Sequence, residues 1–231
     1  MNNITYLDWD SNFFGYKIGE ISYLSENVLD NAKDQNYLLL YLKLTSNNDN
    51  YNYVNVLKNG ILVDEKVTYL KNLEKLSTED NFDVEIYSDN FVSKELYDLA
   101  LQSGTYSRYK VDENFKNNEF ERLYKVWIEN SVNKLIAKKI IIQKLNNKPI
   151  GLLTLGIKNE RADIGILAVD ESIRGKGVGK NLIEQSFFES KIMNLNNIQV
   201  VTQKANKNAC SFYEKMGFCA EKTENIYHFW I

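Results

Sequence analysis

Three glycines within five positions constrain the fold of this chain more than any other feature. They lie in RGKGVG (174–179), between an apolar segment, ADIGILAVD (162–170), and a segment whose apolar residues have helical spacing, KNLIEQSFF (180–188). This order predicts a strand, a tight loop and a helix. Glycines let several backbone N–H groups converge on an anion, and the N-terminus of a helix adds partial positive charge. The loop and its basic residues therefore predict a phosphate site.

Two familiar phosphate loops do not fit this spacing. A Walker loop needs four residues between its glycines and then Lys and Ser or Thr, whereas three residues separate Gly175 from Gly179 and Asn181 follows Lys180. A dinucleotide fingerprint starting at Gly175 needs a glycine where Lys180 stands. The failed Walker spacing argues against a protein that binds nucleoside triphosphates. Taken alone, the loop is also compatible with a plain strand-to-helix turn whose basic residues are solvated.

Composition excludes several classes of protein. The 231 residues include 28 Lys and Arg against 31 Asp and Glu, a net charge of −3, which does not suit a nucleic-acid-binding protein. The chain has no apolar run of about 18 residues, and its N-terminus lacks the features of a signal peptide. It has one histidine, His228, and two cysteines that form no CxxC, so a metal site is not expected. We expect a cytoplasmic protein without a bound metal or a membrane span.

The order of the remaining segments predicts a mixed sheet in two parts. An N-terminal α/β part covers residues 1–78, and a second part covers residues 79–231. Strands alternate with helices, but a hairpin interrupts them, which indicates an α+β or mixed α/β fold. The predicted strands are 37–44, 61–70, 82–87, 162–170, 198–203 and 227–231, the hairpin is 138–157, and the predicted helices are 50–60, 93–104, 118–132, 180–188 and 206–217.

The glycine loop and a later helix together resemble the GNAT acyltransferase superfamily. The loop has the pattern [R/Q]-x-x-G-x-G, and ANKNACSFYEKMGF (205–218) is similar to the superfamily's last helix, N-x-x-A-x-x-F-Y-x-x-x-G-F. The resemblance implies the GNAT fold, acetyl-CoA as co-substrate and its pyrophosphate at the loop. The cofactor-binding residues that it implies are Leu167, Ala168, Val169, Arg174, Gly175, Lys176, Gly177, Val178, Gly179, Lys180 and Asn206.

The resemblance also implies roles in the reaction. One backbone N–H near Leu167 or Ala168 would polarise the thioester carbonyl, and Tyr213 would protonate the departing CoA thiolate. Each role has a structural alternative: the strand is an ordinary core strand, and Tyr213 is a buried core tyrosine. Asn206 equally suits a helix N-cap.

Three further segments resemble the TDP-4-amino-sugar N-acetyltransferases of the TDP-fucosamine type. They are LDWDSNFFGYKIGEI (7–21), SRYKVDENF (107–115) and LYKVWIENSV (123–132). The resemblance implies a truncated GNAT-like N-terminal part, a complete C-terminal GNAT domain and a homodimer. It implies a nucleotide-linked acceptor, a TDP-4-amino-4,6-dideoxyhexose, made for surface polysaccharides such as O-antigen and lipopolysaccharide. The Arg-Gly loop is complete here and shortened in the enterobacterial type, so the match supports the substrate class better than the particular sugar.

The same resemblance suggests the acceptor-binding residues, which are Ser107, Arg108, Tyr109, Trp127 and Asn130. Arg108 would hold a phosphate of the nucleotide sugar by paired hydrogen bonds, unless it is a solvated loop arginine. Trp127 equally suits the core. Three carboxylates lie in suitable segments for a general base, but none has a supporting spacing and none is assigned; they are Asp112, Glu113 and Asp163.

Other functions are compatible with the same sequence. The same fold could acetylate a protein amine, a polyamine or an aminoglycoside, and a non-catalytic acyl-CoA-binding module is the alternative from another class. A cluster of acidic residues would favour a polyamine or aminoglycoside, and none stands out in the sequence. A broken loop or a missing tyrosine would favour the binding module, whereas both features are present.

Overall fold

The structure is a computed structural model that describes residues 4–45, 60–77, 79–80 and 83–231. Its strands are β1 (Ile4–Tyr6), β2 (Ile18–Ile21), β3 (Leu39–Thr45), β4 (Ile61–Asn72), β5 (Glu85–Ile86), β6 (Lys139–Leu145), β7 (Lys148–Lys158), β8 (Arg161–Val169), β9 (Asn197–Gln203) and β10 (Cys219–Trp230). Its α-helices are α1 (Asp8–Phe14), α2 (Glu26–Asp34), α3 (Lys94–Ser103), α4 (Arg108–Val111), α5 (Glu119–Val132), α6 (Val178–Ile192) and α7 (Lys207–Lys215). The mixed α+β fold predicted from the sequence is confirmed. The helix predicted over 50–60 falls outside the described residues apart from Gly60, which precedes β4.

Local sequence signals explain where several elements begin and end. The Ser93 side chain caps α3 by accepting a hydrogen bond from the N–H of Leu96 at 3.3 Å. Gly15 ends α1 in the left-handed region, with φ of 83°, where glycine is favoured. The turn of the β6–β7 hairpin uses Asn146 and Asn147, both at positive φ, as asparagine tolerates better than most residues.

The chain divides into two compact units. The first comprises Met1–Val67, Gln203–Ala205 and Lys222–Ile231, and the second comprises Thr68–Thr202 and Asn206–Glu221. These units do not follow a division at residue 78, because the second includes residues 68–77 and the first includes the end of the chain. The division of the chain into domains 1–78 and 79–231 stays a prediction.

The first unit is built around a sheet in the order β1-β2-β3-β10-β4. Strand β3 pairs parallel with β2 and antiparallel with β10, with Leu39 opposite Trp230. A buried apolar cluster fills one side of this sheet, and each fully buried large side chain in such a cluster contributes about 1.5–3 kcal/mol. Its members are Ile4, Ile21, Leu24, Val28, Ala32, Tyr37, Leu40, Leu42 and Phe229.

The second unit has the strand order β4-β9-β8-β7-β6-β5. Strand β7 pairs antiparallel with β6 and β8, whereas β8 pairs parallel with β9. Helices α3 and α5 cover this sheet over a buried cluster that consists of Leu96, Leu99, Ala100, Ile128, Val132, Ile140, Ile142, Leu152, Ile166 and Ala168.

A bulge interrupts the ladder between β7 and β8. Leu153 pairs with Leu167 but Leu155 pairs with Ile164, so two residues of β8, Gly165 and Ile166, stand opposite Thr154 alone. The Thr154 hydroxyl accepts a hydrogen bond of 2.8 Å from the Ile166 N–H, which the bulge would otherwise leave without a strand partner. The bulge re-aims the C-terminal half of β8.

Next to the bulge, β8 stops pairing with β9, its other neighbour in the sheet. The register between β8 and β9 runs from Ala162 to Ile164 and does not extend into the second half of β8. Residues 165–169 therefore keep β7 as a ladder partner on one edge, while the opposite edge is open over this stretch. An open edge of this kind can accept an extended ligand as an added strand.

Candidate active site

The open edge of β8 forms one wall of a cavity of about 690 Å³ in the second unit. The other walls are the glycine loop, the N-terminus of α6, the C-terminal end of α3 and one face of α7. The cavity brings together most of the predicted cofactor-binding residues and the predicted acid: Leu167, Ala168, Val169, Arg174, Gly175, Gly177, Val178, Gly179, Lys180, Asn206 and Tyr213. Lys176 is exposed on the loop and is not among the residues that line the cavity.

Backbone alternation indicates which N–H groups of β8 face the open edge. The N–H of Asp170 donates to the Ile150 carbonyl at 2.9 Å, on the β7 side. Because neighbouring residues of a strand direct their backbone groups to opposite edges, Ala168 is also directed to β7, whereas Leu167 and Val169 are directed away from it. Of the two candidates for the polarising N–H, Leu167 and Ala168, this geometry favours Leu167.

The glycine loop has the backbone conformation that its sequence predicts. Gly175 and Gly177 have φ of 82° and 88°, in the left-handed region that side chains disfavour. Gly177 lies directly before the 15-residue helix α6, whose first N–H groups have no partner within the helix. These N–H groups and the partial positive charge of the helix end make this wall attractive to an anion.

Two further glycines, Gly151 of β7 and Gly179 of the loop, permit close packing. A Cβ on Gly151 would lie 2.6 Å from Cγ1 of Val178, so glycine lets the first turn of α6 rest directly on β7. A Cβ on Gly179 would lie 3.3 Å from the ring of Phe212, so glycine also permits the close approach of α6 to α7. Both contacts hold the helix N-terminus beside the cavity.

The loop is also held by its own polar residues. Asp170 accepts hydrogen bonds from the Ser172 N–H at 3.0 Å and from its hydroxyl at 2.5 Å. These bonds from Ser172 hold the pKa of the Asp170 carboxyl below its usual value, so it accepts them as a carboxylate. The Nε of Arg174 donates to the carbonyl of Val169 at 3.0 Å, so the arginine side chain folds back over the end of β8.

Tyr213 lies on α7, is 5% exposed and lines the cavity. Its ring packs against three aromatic rings, those of Tyr69, Phe212 and Phe218, at centroid distances of 5.6–5.9 Å. Burial, with a smaller contribution from Cys210, raises the pKa of the Tyr213 phenol. The phenol is therefore a proton donor at neutral pH, as an acid catalyst requires.

Asn206 combines the two roles that were considered for it. Its side chain accepts a hydrogen bond from the Ala209 N–H at 3.2 Å, which makes it the N-cap of α7. It also lines the cavity. Its contact with CoA stays a prediction.

The predicted acceptor-binding residues do not line this cavity. Ser107 is buried and caps the short helix α4, accepting from the Tyr109 N–H at 3.4 Å. Arg108 donates to the Tyr109 hydroxyl at 2.5 Å, and its guanidinium lies 4.7 Å from the centre of the Tyr109 ring. Because Tyr109 is buried, this contact holds Arg108 in its own segment. Their role in binding an acceptor stays a prediction.

Trp127 and Asn130 lie on α5, which packs against α3. Trp127 is partly buried against the core of the second unit, and its ring lies 5.0 Å from that of Tyr124. The backbone carbonyl of Asn130 accepts from the Leu135 N–H at 2.9 Å at the end of the helix. Neither residue lines the cavity, and their role in binding an acceptor stays a prediction.

The wall that the end of α3 provides was not predicted from the sequence. Four residues of this wall, Gln102, Ser103, Thr105 and Tyr106, surround Gly104, which ends the helix. The run of polar and aromatic residues around a helix-ending glycine was the available signal. Helical spacing alone gives no indication that this end of α3 reaches the glycine loop.

Of the remaining candidates, Asp163, Asp112 and His228 have structural partners, and Glu113 is exposed. Asp163 accepts a hydrogen bond of 2.7 Å from the amide of Gln199, and the buried Asp112 accepts from Asn114. His228 is fully buried and stacks on Tyr41. Within the described ranges, no group of three His, Cys, Asp or Glu side chains is placed to hold a metal, and no helix is long and apolar enough to cross a membrane.

Comparison with known proteins relates this geometry to a family and to a fold. Residues 94–218 match the model of the acetyltransferase (GNAT) family. The chain is 28% identical over 133 residues to the spore coat polysaccharide biosynthesis protein SpsD of Bacillus subtilis (strain 168), a match that covers 58% of this chain and 46% of SpsD. An uncharacterized N-acetyltransferase of Methanocaldococcus jannaschii, MJ1207, is 26% identical over 111 residues. The chain thus spans about half the length of these curated relatives, with 46% and 47% of their residues covered.

Solved structures share the fold over most of the chain. A functionally unknown conserved protein from Staphylococcus epidermidis superposes with a TM-score of 0.62 at 13% identity, covering 94% of this chain and 85% of that one. The PaiA N-acetyltransferase of Thermoplasma acidophilum, solved in complex with coenzyme A, gives a TM-score of 0.50 at 19% identity and covers 64% of this chain and 99% of that one. Because the family model spans more than half of the sequence, the chain belongs to the acetyltransferase (GNAT) family, whose members take the acyl group from acetyl-CoA.

Proposed function

We propose that this protein transfers acetyl from acetyl-CoA to the amine of a nucleotide-linked amino sugar, a TDP-4-amino-4,6-dideoxyhexose, during the synthesis of a surface polysaccharide. One observation carries the first half of the proposal. A single cavity combines an open strand edge, an anion-attracting loop at a helix N-terminus and a buried, protonated tyrosine. These three features together suit an acyltransferase whose acyl donor is a thioester that also carries a pyrophosphate.

Each part of acetyl-CoA has chemistry to match it. The pyrophosphate suits the N–H groups after Gly177 and the positive charge of Lys180, which lines the cavity. The pantetheine arm carries amides and suits the open edge of β8, where it would pair with the backbone of Leu167 and Val169. This arrangement directs the thioester towards Tyr213.

The reaction proceeds by direct attack in a ternary complex. The neutral amine of the acceptor attacks the thioester carbon, forming a C–N bond, and the developing oxyanion accepts a hydrogen bond from the Leu167 N–H. The C–S bond then breaks, Tyr213 gives its proton to the thiolate, and the amine loses a proton to water, from which the Tyr213 phenolate regains one. No general base is assigned in this mechanism. One preorganised donor to an oxyanion is worth about 2.7–4 kcal/mol of barrier.

The nature of the walls supports a hydroxylated acceptor group, such as a sugar, over a polycation. The end of α3 presents hydroxyl and phenol groups from Ser103, Thr105 and Tyr106. Among the described residues that line the cavity, Glu171 is the one acidic side chain. A site for a polyamine or an aminoglycoside would gain from several carboxylates, whereas a sugar is recognised by neutral polar groups and aromatic rings.

The comparison with SpsD supports the sugar further. SpsD is named as a spore coat polysaccharide biosynthesis protein. The three segments that resemble the TDP-4-amino-sugar acetyltransferases include residues 107–115, which follow the α3 wall directly in the chain. We infer that Arg108 and its neighbours contact the nucleotide part of the acceptor, and that the enzyme acts as a cytoplasmic homodimer.

The test is a panel of acceptors with the purified protein and acetyl-CoA. Release of the CoA thiol and the mass of the product are measured with TDP-4-amino, TDP-3-amino and UDP-4-amino sugars, with spermidine and with an aminoglycoside. The matched control is the same TDP sugar whose amine is already acetylated. We expect turnover on a TDP-4-amino sugar with one acetyl group added, and none on the control. Turnover confined to spermidine or the aminoglycoside would overturn the sugar assignment.

A further inference from the structure

Gln102 connects helix α3 to the glycine loop. Its side-chain oxygen, Oε1, accepts a hydrogen bond from the Glu171 N–H at 3.1 Å and lies 3.4 Å from Nη2 of Arg174. Its backbone carbonyl accepts from the hydroxyl of Thr105 at 3.0 Å. The Gln102 side chain is thus tied to two residues of the loop, while its backbone is tied to the turn that follows α3.

The chemistry of the neighbours fixes which atom of the amide faces the loop. The Glu171 N–H and the guanidinium of Arg174 are both donors and carry no acceptor. An amide turned the other way would direct its NH₂ group at two donors, so the oxygen must face the loop. The bond from the Glu171 N–H, at 3.1 Å, is the shorter of the two, and the contact with the guanidinium, at 3.4 Å, is long.

Arg174 completes the same contact from the side of the loop. Its Nε donates to the Val169 carbonyl at 3.0 Å, and its Nη2 donates to Gln102 at 3.4 Å. The guanidinium therefore spans from the last residue of β8 to α3. In this arrangement it holds the loop in place, and the N–H groups after Gly177 and the lysine side chains remain to attract the anion.

We propose that Gln102 is a positioning residue that, together with Arg174, clamps the glycine loop against α3 and so presets the loop for the pyrophosphate of acetyl-CoA. This inference rests on the proposed acetyl-CoA site. It also joins the two sides of the cavity, because Gln102 lies on the wall that carries Thr105 and Tyr106. A loop that is already ordered loses less conformational entropy when the anion binds.

The first test needs no ligand. Amide hydrogen exchange is compared between wild type and Gln102→Met, which keeps the length of the side chain and removes both polar groups. The clamp predicts faster exchange at residues 171–175 and unchanged exchange in the second half of α6. Lys94→Met is the matched control, because Lys94 is an exposed residue of the same helix, paired with Asp98 at the surface. Unchanged exchange at the loop in Gln102→Met would overturn the proposal.

The second test measures acetyl-CoA binding by calorimetry without an acceptor. We expect Gln102→Met to weaken binding about fivefold to tenfold, since two hydrogen bonds that order the loop are lost. With an acceptor that the enzyme acetylates, kcat of Gln102→Met at saturating acetyl-CoA should stay within about twofold of the wild-type value. KM for acetyl-CoA should rise in step with the dissociation constant. Lys94→Met should bind as wild type does.

Equal binding by wild type and Gln102→Met would overturn the clamp and leave the proposed function intact. Absence of acetyl-CoA binding by wild type would instead overturn the proposed function, and the exchange experiment would still decide on the clamp.

A double-mutant cycle separates the clamp from direct phosphate binding by Arg174. If the two residues act as one unit, Arg174→Met and Gln102→Met should each weaken acetyl-CoA binding. The dissociation constant of the double variant should then be within about twofold of that of the weaker-binding single variant. Multiplicative losses in the double variant would show independent roles and would contradict the clamp.

Discussion

At the scale of single residues, the chemistry of the site depends on the environment of Tyr213. An exposed phenol would titrate near its ordinary value of about 10, whereas burial among three aromatic rings raises the pKa of this one. The same burial positions the ring at the cavity wall. The tyrosine is thus both part of the packing and the proposed acid. Its interpretation as a core residue and its interpretation as the acid are therefore compatible.

Replacing Tyr213 by phenylalanine tests its role. The substitution keeps the ring and its packing but removes the proton that is given to the CoA thiolate. We expect kcat to fall by about 10²-fold or more, while KM for acetyl-CoA changes little. Steady-state kinetics with the acceptor identified by the panel measures both. Phe212→Leu, at the neighbouring ring, is the control for altered packing. If kcat of Tyr213→Phe stays near that of wild type, Tyr213 is not the acid.

The pH dependence of kcat gives an independent check. Because the pKa of Tyr213 is raised, the phenol stays protonated as the pH rises through the range in which an ordinary tyrosine begins to ionise. Activity should therefore rise as the acceptor amine loses its proton and should show no loss due to Tyr213 up to about pH 10, where an ordinary tyrosine is half ionised. A profile of kcat from about pH 6 to 11 measures this. A falling limb at about pH 10 or below that disappears in Tyr213→Phe would contradict a raised pKa.

At the scale of elements, the bulge between β7 and β8 opens the site. It sets two residues of β8 opposite Thr154, and the pairing of β8 with β9 does not continue past Ile164. The open edge at Leu167 and Val169 follows from this change of register. The hydroxyl of Thr154 satisfies the displaced N–H of Ile166, so one side chain stabilises the feature that makes room for a ligand.

Removal of that hydroxyl should damage both stability and binding. Thr154→Val leaves the buried Ile166 N–H without a partner, which costs about 1–3 kcal/mol of unfolding free energy. We also expect weaker acetyl-CoA binding, because the edge of β8 loses its support. Denaturant unfolding and calorimetry measure the two effects. Thr154→Ser keeps the hydroxyl and should retain most of the hydrogen-bond contribution; equal stability of the Val and Ser variants would contradict this account.

The sequence predicts these elements unevenly, for physical reasons. The loop of residues 174–179 and the final helix are local features, so their glycines and spacing predict them correctly. The bulge depends on the register of two strands, and apolar alternation does not show where one residue is added. For the same reason the sequence left Leu167 and Ala168 equal, whereas the ladder separates them. The contact of Gln102 with the loop joins residues about 70 positions apart, which no local pattern can indicate.

At the scale of the whole chain, each compact unit consists of segments that are distant in sequence. The strand β10 pairs over Glu224–Trp230 with β3, within the first unit. Residues 68–77 belong to the second unit, where Tyr69 contacts Tyr213 and Lys71 donates to the Met216 carbonyl at 2.8 Å. Neither unit is a continuous segment of the chain, and this bears on the predicted boundary at residue 78.

Division at residue 78 should therefore separate partners that need each other. A fragment of residues 79–231 lacks β3, the partner of β10, and lacks Tyr69, the neighbour of Tyr213. We expect this fragment alone to be insoluble or to unfold without cooperativity, which circular dichroism and denaturant titration measure. Co-expression with residues 1–78 is the control and should restore a folded complex. A fragment 79–231 that unfolds cooperatively and binds acetyl-CoA would instead support an independent domain.

The central claim is that acetyl-CoA binds between the glycine loop and the open edge of β8. A crystal structure of the protein with acetyl-CoA tests it most directly. We predict the pyrophosphate at residues 175–180, the pantetheine arm along β8, and the thioester oxygen at about 3 Å from the Leu167 nitrogen, on the side of the cavity that Tyr213 lines. Acetyl-CoA bound elsewhere, or a β8 edge that remains without ligand while the loop is occupied, would contradict the account.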